Sequence, residues 1–228
     1  MTPITSSLPL TAGGQILENG GLAPSLKILL VLTLLALLPA IMLACTSFVR
    51  TVVVLSFVRQ GIGSMQSPPS QVVIGLALFL TAFTMAPVAD EVKRIAVDPY
   101  LAGQISDLQA LEVGAQPMKR FMLRQTREAD LKLFYDATNT ALPQTADDVP
   151  MRLAMPAFVV SELTTAFHMG VIILLPFLVV DLAVASLLMS MGMMMVPPTS
   201  ISLPIKLLLF VLVDGWNLVA GSILRSYT

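Results

Sequence analysis

Apolar residues in this chain come in long unbroken runs, not in alternation or narrow amphipathic stripes. Ile28 to Val49 is a run of 22 uncharged positions, mostly Leu, Ile, Val and Ala, and Val72 to Ala89 is a run of 18. After a polar stretch, Leu163 to Val180 gives 18 more and Leu182 to Ile205 gives 24. Leu203 to Leu224 supplies the last apolar helix. A helix rises ~1.5 Å per residue, so a run of about 20 spans the ~30 Å of a bilayer's hydrocarbon. No strand-period alternation competes with helix. Pro68-Pro69 and Val196-Pro197-Pro198 interrupt the runs, because paired prolines supply no amide donors and restrict the residue before them. Pro39 should kink the first run, and Pro176 lies inside the third. The pattern therefore predicts an all-α protein: two long kinked apolar helical hairpins flank a small helical polar insert, and both Pro-Pro turns lie opposite the insert.

The expected organisation is a flexible N-terminal segment over 1–26, a first hairpin over 27–89, the insert over 90–152 and a second hairpin over 153–228. The segment before Lys27 is rich in Gly, Pro, Ser and Thr, carries one charge, Glu18, and lacks the basic start of a signal peptide. Either the numbering begins after a cleaved signal, or the first apolar helix is itself the export signal. Within the insert, Ser106 to Gln109 fits a capping box and Gly114 fits the end of that helix. Gln116-Pro117 then opens a longer helix to about Thr138. On it Met118, Phe121, Met122, Ala129 and Leu133 share one face, and Leu123, Leu131 and Phe134 gather on the other. Two stripes require two covers: the insert's own core for both, or that core for one and a neighbouring subunit for the other.

Composition sharpens the picture. Hydrophobic residues make up 56% of the 228 positions and charged residues 12%, about half the usual share in a soluble globular protein. Most of the charge falls between Asp90 and Arg152, so the flanks need lipid or partner protein around them. A net charge of −1 offers no basic surface for nucleic acid. One cysteine, Cys45, and one histidine, His168, cannot build a zinc site or a disulfide framework. His168 sits in an apolar run and reads as an imidazole packed between helices. No nucleophile–base set or cofactor motif is present, and Gly61-Ile-Gly63 is a turn, not a dinucleotide fingerprint.

Charges inside apolar helices are costly and face protein or water. They are Arg50, Arg59, Glu162, Asp181, Lys206 and Asp214, three of each sign. In straight antiparallel helices Lys206 and Glu162 differ in level by roughly 40 Å, so their pairing requires a folded-back helix or a second subunit. Asp181 is offset by only about 10 Å and competes as the partner of Lys206. Snorkelling to a surface is the alternative for each charge, and it is the preferred one for Arg59 beside the first turn. Five of the seven residues from Met189 to Met195 are Met. Unbranched thioether side chains repack easily, which suits either adaptable helix packing or a soft closure where several copies meet on an axis. Gly192 and Pro197-Pro198 flank the cluster and favour a constriction loop.

Several long motifs in order resemble a known family. MGMMMVPP (191–198), LPIKLLLFVLVDGW (203–216), FMLRQTREADLKLF (121–134), SELTTAF (161–167) and GLALFLTAF (75–83) are similar to the FliP-type subunit of the bacterial type III export gate, from about Leu26 onward. RQTREADL, Gln71 and GLALFL resemble the flagellar branch more than the virulence-injectisome branch, whereas KLLLFVLVDGW occurs in both. The resemblance implies a non-enzymatic, cofactor-free subunit of an inner-membrane pore. Several copies, pentamer-like, would assemble helically with FliQ-type and FliR-type subunits beside FlhA/FlhB-type components, and unfolded polypeptides would cross the pore. It implies a methionine gasket of Met193, Met194 and Met195, self-association through Phe121 and Phe134, and an inter-subunit ion pair of Glu162 with Lys206. Asp181 and Asp214 remain as expected buried charges. The family places the insert in the periplasm. Lys27, Lys93, Arg94, Arg152 and Arg225 on the insert side, against Arg50 and Arg59 near the first turn, point the other way by the positive-inside count. The resemblance is followed, because a subunit packed chiefly against protein is not bound by rules for single spans in lipid. The rival of a different class is a small-solute transporter with Asp181 and Asp214 as a proton-coupled pair.

Overall fold

Proline and glycine decide where the helices start and stop. A computed structural model describes residues 24–63, 68–141, 143, 145, 148–193 and 195–227, and among them every regular element is helical. The N-terminal segment before Pro24 lies outside the described residues. The chain divides into two compact units, Met1–Ile41 and Met42–Thr228. The first contributes most of α1 (Pro24–Ala44), whose Ile28, Leu32 and Leu35 are exposed. The uncharged run to Val49 is not one helix, since α2 (Phe48–Ile62) begins separately after Cys45 to Ser47.

Gly63 ends α2 at φ +85, a left-handed geometry that glycine adopts without a Cβ clash, and its amide donates to the Gln60 carbonyl at 3.0 Å. After Pro68-Pro69, α3 (Ser70–Val92) begins, and Arg59 of α2 donates to the Ser70 hydroxyl at 2.7 Å. The helix does not stop at the insert. A π-helical turn, Lys93–Val97, carries it into α4 (Asp98–Leu101), with the Asp98 amide bonding the Lys93 carbonyl five residues back. Pro99, which has no amide to offer, follows at once.

In the insert, Gln109 accepts from the Ser106 amide at 3.0 Å, as the capping box requires. The expected stop at Gly114 does not occur, and α5 (Asp107–Gln125) runs through Gly114 and Pro117. Gly114 serves close approach instead, since a Cβ there would sit 3.2 Å from that of Ala96. The expected helix to Thr138 is broken at Thr126, whose backbone is extended, and α6 (Glu128–Ala137) follows. This break lets the two apolar stripes turn to different faces of α7 (Met151–Ser190). Phe121 and Met122 join Cys45, Met85, Val88 and Phe158 in one core, and Leu123, Leu131 and Phe134 pack on Tyr135, Val149, Leu153 and Ala154 in another. Both stripes are thus covered within the chain, apart from Ala129 and Leu133, which are exposed.

Helices α2 and α7 run parallel and form the main packed pair. Phe57 lies against Gly170, where a Cβ would sit 2.2 Å from the ring, and Phe177 lies against Gly61, where it would sit 2.5 Å away. Each glycine makes room for the other helix's ring. Gly61 is therefore helical, and only Gly63 is the turn. The parallel order, with Arg50 at Glu162 and Gly61 at Phe177, puts the end of α2 on the same side as the Met-rich end of α7.

The two later runs are also interrupted. α7 ends at Ser190, and α8 (Pro198–Leu212) starts on Pro198, so Leu182 to Ile205 is not continuous. The expected last helix to Leu224 breaks at Asp214, where α9 (Gly215–Arg225) departs from α8 by 63°. Asp214 adopts φ +51, and Gly215 lies where a Cβ would meet the Phe210 ring at 2.3 Å. Among the described residues, Ser70–Leu101 and Met151–Ser190 are long and apolar enough to cross a membrane; α1 with α2, and α8 with α9, add two more if each counts as one span.

Candidate functional site

Two features stand out: a buried charge network at the insert end of α2, and the methionine loop at the far end of α7. Arg50, in an apolar helix, is only 2% exposed, so each of its five N–H groups needs an acceptor. All five have one. Nε donates to Glu162 at 3.0 Å, and Nη2 donates to the other Glu162 oxygen and to Gln125 at 3.3 Å. Nη1 donates to the Ser226 carbonyl at 3.0 Å and to its hydroxyl at 2.9 Å. The Tyr227 ring lies 4.0 Å from the guanidinium carbon, and its hydroxyl donates to Glu162 at 2.6 Å. The network joins α2, α5, α7 and the residues after α9.

One residue before Glu162, Ser161 ties the insert to α7. Its hydroxyl donates to Asp130 at 2.6 Å and accepts from the Arg127 amide at 3.0 Å. Arg127 binds Asp130 through two bonds of 2.8 and 2.9 Å. These guanidinium bonds hold the Asp130 carboxyl below its ordinary range despite partial burial. Tyr135 is pushed up by burial, and its hydroxyl has no partner.

On the far side of α2, Lys206 is buried and pairs with Asp181 at 2.6 Å. The Lys206 ammonium sits 3.6 Å from where a Cβ on Gly63 would lie, so this pair abuts the end of α2.

The methionine loop begins with a Schellman motif. Gly192 is left-handed at φ +71; its amide bonds the Met189 carbonyl at 3.1 Å, and the Met193 amide bonds that of Leu188 at 2.9 Å. This fixes where the loop leaves α7. Met191, Met193 and Met195 are all exposed, Met195 at 96%. Met193 also lines an apolar cleft of about 230 Å³ with Ala185, Leu188, Met189, Val196 and Pro198. Among the described residues no cluster of His, Cys, Asp and Glu could hold a metal ion.

The sequence model of the FliP family matches residues 31–223. The chain belongs to the FliP family. It is 52% identical over 215 residues to the flagellar biosynthetic protein FliP of Pectobacterium carotovorum subsp. carotovorum, covering 93% of this chain and 83% of that one. It is 48% identical over 203 residues to the protein of the same name from Bacillus subtilis (strain 168), covering 89% and 92%. With the Caulobacter vibrioides FliP it shares 52% identity over 196 residues, covering 86% and 74%.

This FliP-family chain does not bring Glu162 and Lys206 together. Glu162 is held by Arg50 and Tyr227, and Lys206 by Asp181, the competitor that helix level had named. Arg50 was expected near the first turn; it lies instead beside Gln125 of the insert, because α2 starts rather than ends there. The expected buried charges Asp181 and Asp214 differ in the single chain, where one carboxylate oxygen of Asp181 is buried. The Asp181 side chain is 34% exposed, and Asp214 is exposed at the α8–α9 break, where it accepts from Asn217 at 3.1 Å. Among the described residues the acid with no exposure at all is Glu162. Phe121 is buried between Phe158 and Tyr227, and Phe134 is half-buried on the second insert core. His168 is exposed on α7 and not enclosed between helices of the chain. Met194 lies outside the described residues. Sequence reasoning missed Gln125, Ser226 and Tyr227: a polar residue in the insert and two beyond the last apolar helix carry no signal linking them to Arg50.

Proposed function

We propose that this FliP-family chain is a non-catalytic, pore-forming subunit of the flagellar protein export gate at the bacterial inner membrane. Copies of it, with FliQ-type and FliR-type subunits and FlhA/FlhB-type components, form the wall of a channel for unfolded polypeptides. The names of its flagellar biosynthetic relatives support this reading. So do the bare flanks of the chain: the most apolar windows of the two long spans are only 28% and 17% buried, leaving Phe79, Phe83, Phe167 and Leu182 uncovered. Sister subunits and lipid cover these faces, and the insert lies in the periplasm.

The observation that carries the channel reading is the exposed thioether loop. Met193 and Met195 project from a glycine-fixed helix end, and with Met194 between them the loop closes the pore as a soft gasket. Replacing Met193, Met194 and Met195 by Ala should raise small-ion conductance of the assembled complex in a planar bilayer while assembly persists. Unchanged conductance removes the gasket role. Phe121 and Phe134 support self-association by fixing α5 and α6 on α7. An inter-subunit Glu162–Lys206 bridge requires both residues to exchange their present partners on assembly.

A further inference from the structure

The residues just after α9 take part in a buried network that begins on α2. Two of Arg50's five N–H groups are satisfied by Ser226 alone. Tyr227 supplies a third kind of contact to the same pair. Its ring lies under the guanidinium and stacks on Phe121 with centroids 6.0 Å apart, while its hydroxyl bonds Glu162 at 2.6 Å and the Ser47 carbonyl at 3.3 Å. The other end of α9 is a bend of 63° at Asp214, a non-glycine residue held at φ +51. Aspartate tolerates that left-handed region better than most side chains, so a bend can sit there. Only Val219 and Ile223, with Gly215, are buried along α9, whereas Trp216 and Leu218 are exposed.

We propose that Ser226 and Tyr227 form a clasp that locks α9 onto α2, α5 and α7, making Asp214–Gly215 a hinge that is free to move only when the clasp opens. The clasp is two-state. Withdrawing Ser226 while Arg50 and Glu162 stay buried leaves two guanidinium donors unsatisfied, and withdrawing Tyr227 strips the dry Glu162 carboxylate of one of its three hydrogen bonds, so partial opening is disfavoured. Full opening admits water to the pair and releases the helix that follows α8. The proposal concerns the single chain and stands apart from the gasket reading.

Cys45, the only cysteine of the chain, is a built-in reporter: it is 7% exposed and belongs to the core against which Tyr227 packs. In the full chain in detergent, Tyr227→Phe should speed N-ethylmaleimide labelling of Cys45 about ten- to a hundredfold, the range for losing a hydrogen bond to a charged group. Ser226→Ala, which keeps the carbonyl contact, should give a smaller acceleration. In an Arg50→Met/Glu162→Met background Tyr227→Phe should have no further effect. As a control, Val149→Cys in a Cys45→Ala chain reports on the second insert core and should label at the same rate with or without Tyr227→Phe. Spin labels at Leu208→Cys and Leu218→Cys, on the Cys45→Ala chain, should show a broadened distance distribution when Tyr227→Phe is added. Unchanged Cys45 labelling, equal acceleration at Val149→Cys, or an unaltered distance distribution each overturns the clasp.

Discussion

Arg50 and Glu162 are 112 positions apart in the chain, yet they meet in a two-point ion pair in which neither side chain is more than 2% exposed. The pair sits where α2, α5 and α7 converge. A buried ion pair is a poor source of net stability, but removing one member leaves the other charged and dry. Its main consequence here is registry: it fixes which turn of α2 lies beside which turn of α7.

Glu162→Ala should therefore cost about 3–5 kcal/mol and sharply reduce the yield of folded chain. Arg50→Met combined with Glu162→Met should recover most of that yield, because no orphaned charge remains. Size-exclusion yield in detergent measures both. A double variant no better than Glu162→Ala would show that the pair contributes more than mutual neutralisation.

Lys206 and Asp181 make the corresponding pair near the end of α2. Lys206→Ala should lower oligomer yield under either pairing scheme, so a reversed pair decides between them. Asp181→Lys with Lys206→Asp should restore assembly if the within-chain bond matters most. The same exchange should leave the yield low if the bond between neighbours does, because it removes the lysine that Glu162 would need. Native mass measurement of the extracted complex reads the result.

Gly170 and Phe57 set the separation of α2 and α7. Gly170→Ala forces the ring aside and should cost about 1–3 kcal/mol through overpacking. Adding Phe57→Leu should return part of that loss, measured as thermal stability of the detergent-extracted chain. No recovery would place the strain elsewhere.

Asp130 carries the pH dependence of the insert's attachment. Its carboxyl lies below the ordinary 3.8 in the folded chain because Arg127 donates to the charged form. A depressed folded value means the stabilisation is complete above the unfolded pKa and is lost as pH falls through the folded one. Acid titration from pH 5 downward should loosen α6 from α7, seen as faster amide exchange over 128–137. Asp130→Asn should weaken this contact already at neutral pH, by roughly 1–3 kcal/mol, and flatten the acid response. An acid response of the same size in Asp130→Asn would exclude this carboxylate as its source.

The order of elements was readable because prolines and glycines act locally. Pro68-Pro69, Pro197-Pro198 and the Ser106 capping box start helices where expected, and Gly63 and Gly192 end them. Gly114 and Gly61 misled for a single reason. A glycine that ends a helix and one that admits a neighbouring helix look the same in sequence, and only the position of Ala96 or Phe177 tells them apart. The breaks at Thr126 and Asp214 were likewise hidden. At Thr126 the extended backbone goes with the single bond of the Arg127 amide to Ser161, and at Asp214 the turn goes with packing around Phe210.

By itself the amino-acid order determined a helical chain with oily flanks, a charged insert, six costly charges in the flanks and a thioether-rich loop, because hydrophobic run length and backbone chemistry operate over a few neighbouring residues. Which charge meets which was decided only by the tertiary structure. Parallel packing of α2 on α7 put Arg50 at the level of Glu162, the fold of α8 on α7 gave Lys206 to Asp181, and the return of α9 delivered Tyr227 to a site that begins 177 residues earlier. Those partnerships depend on levels and faces set by helix crossings, and no short stretch of sequence encodes them.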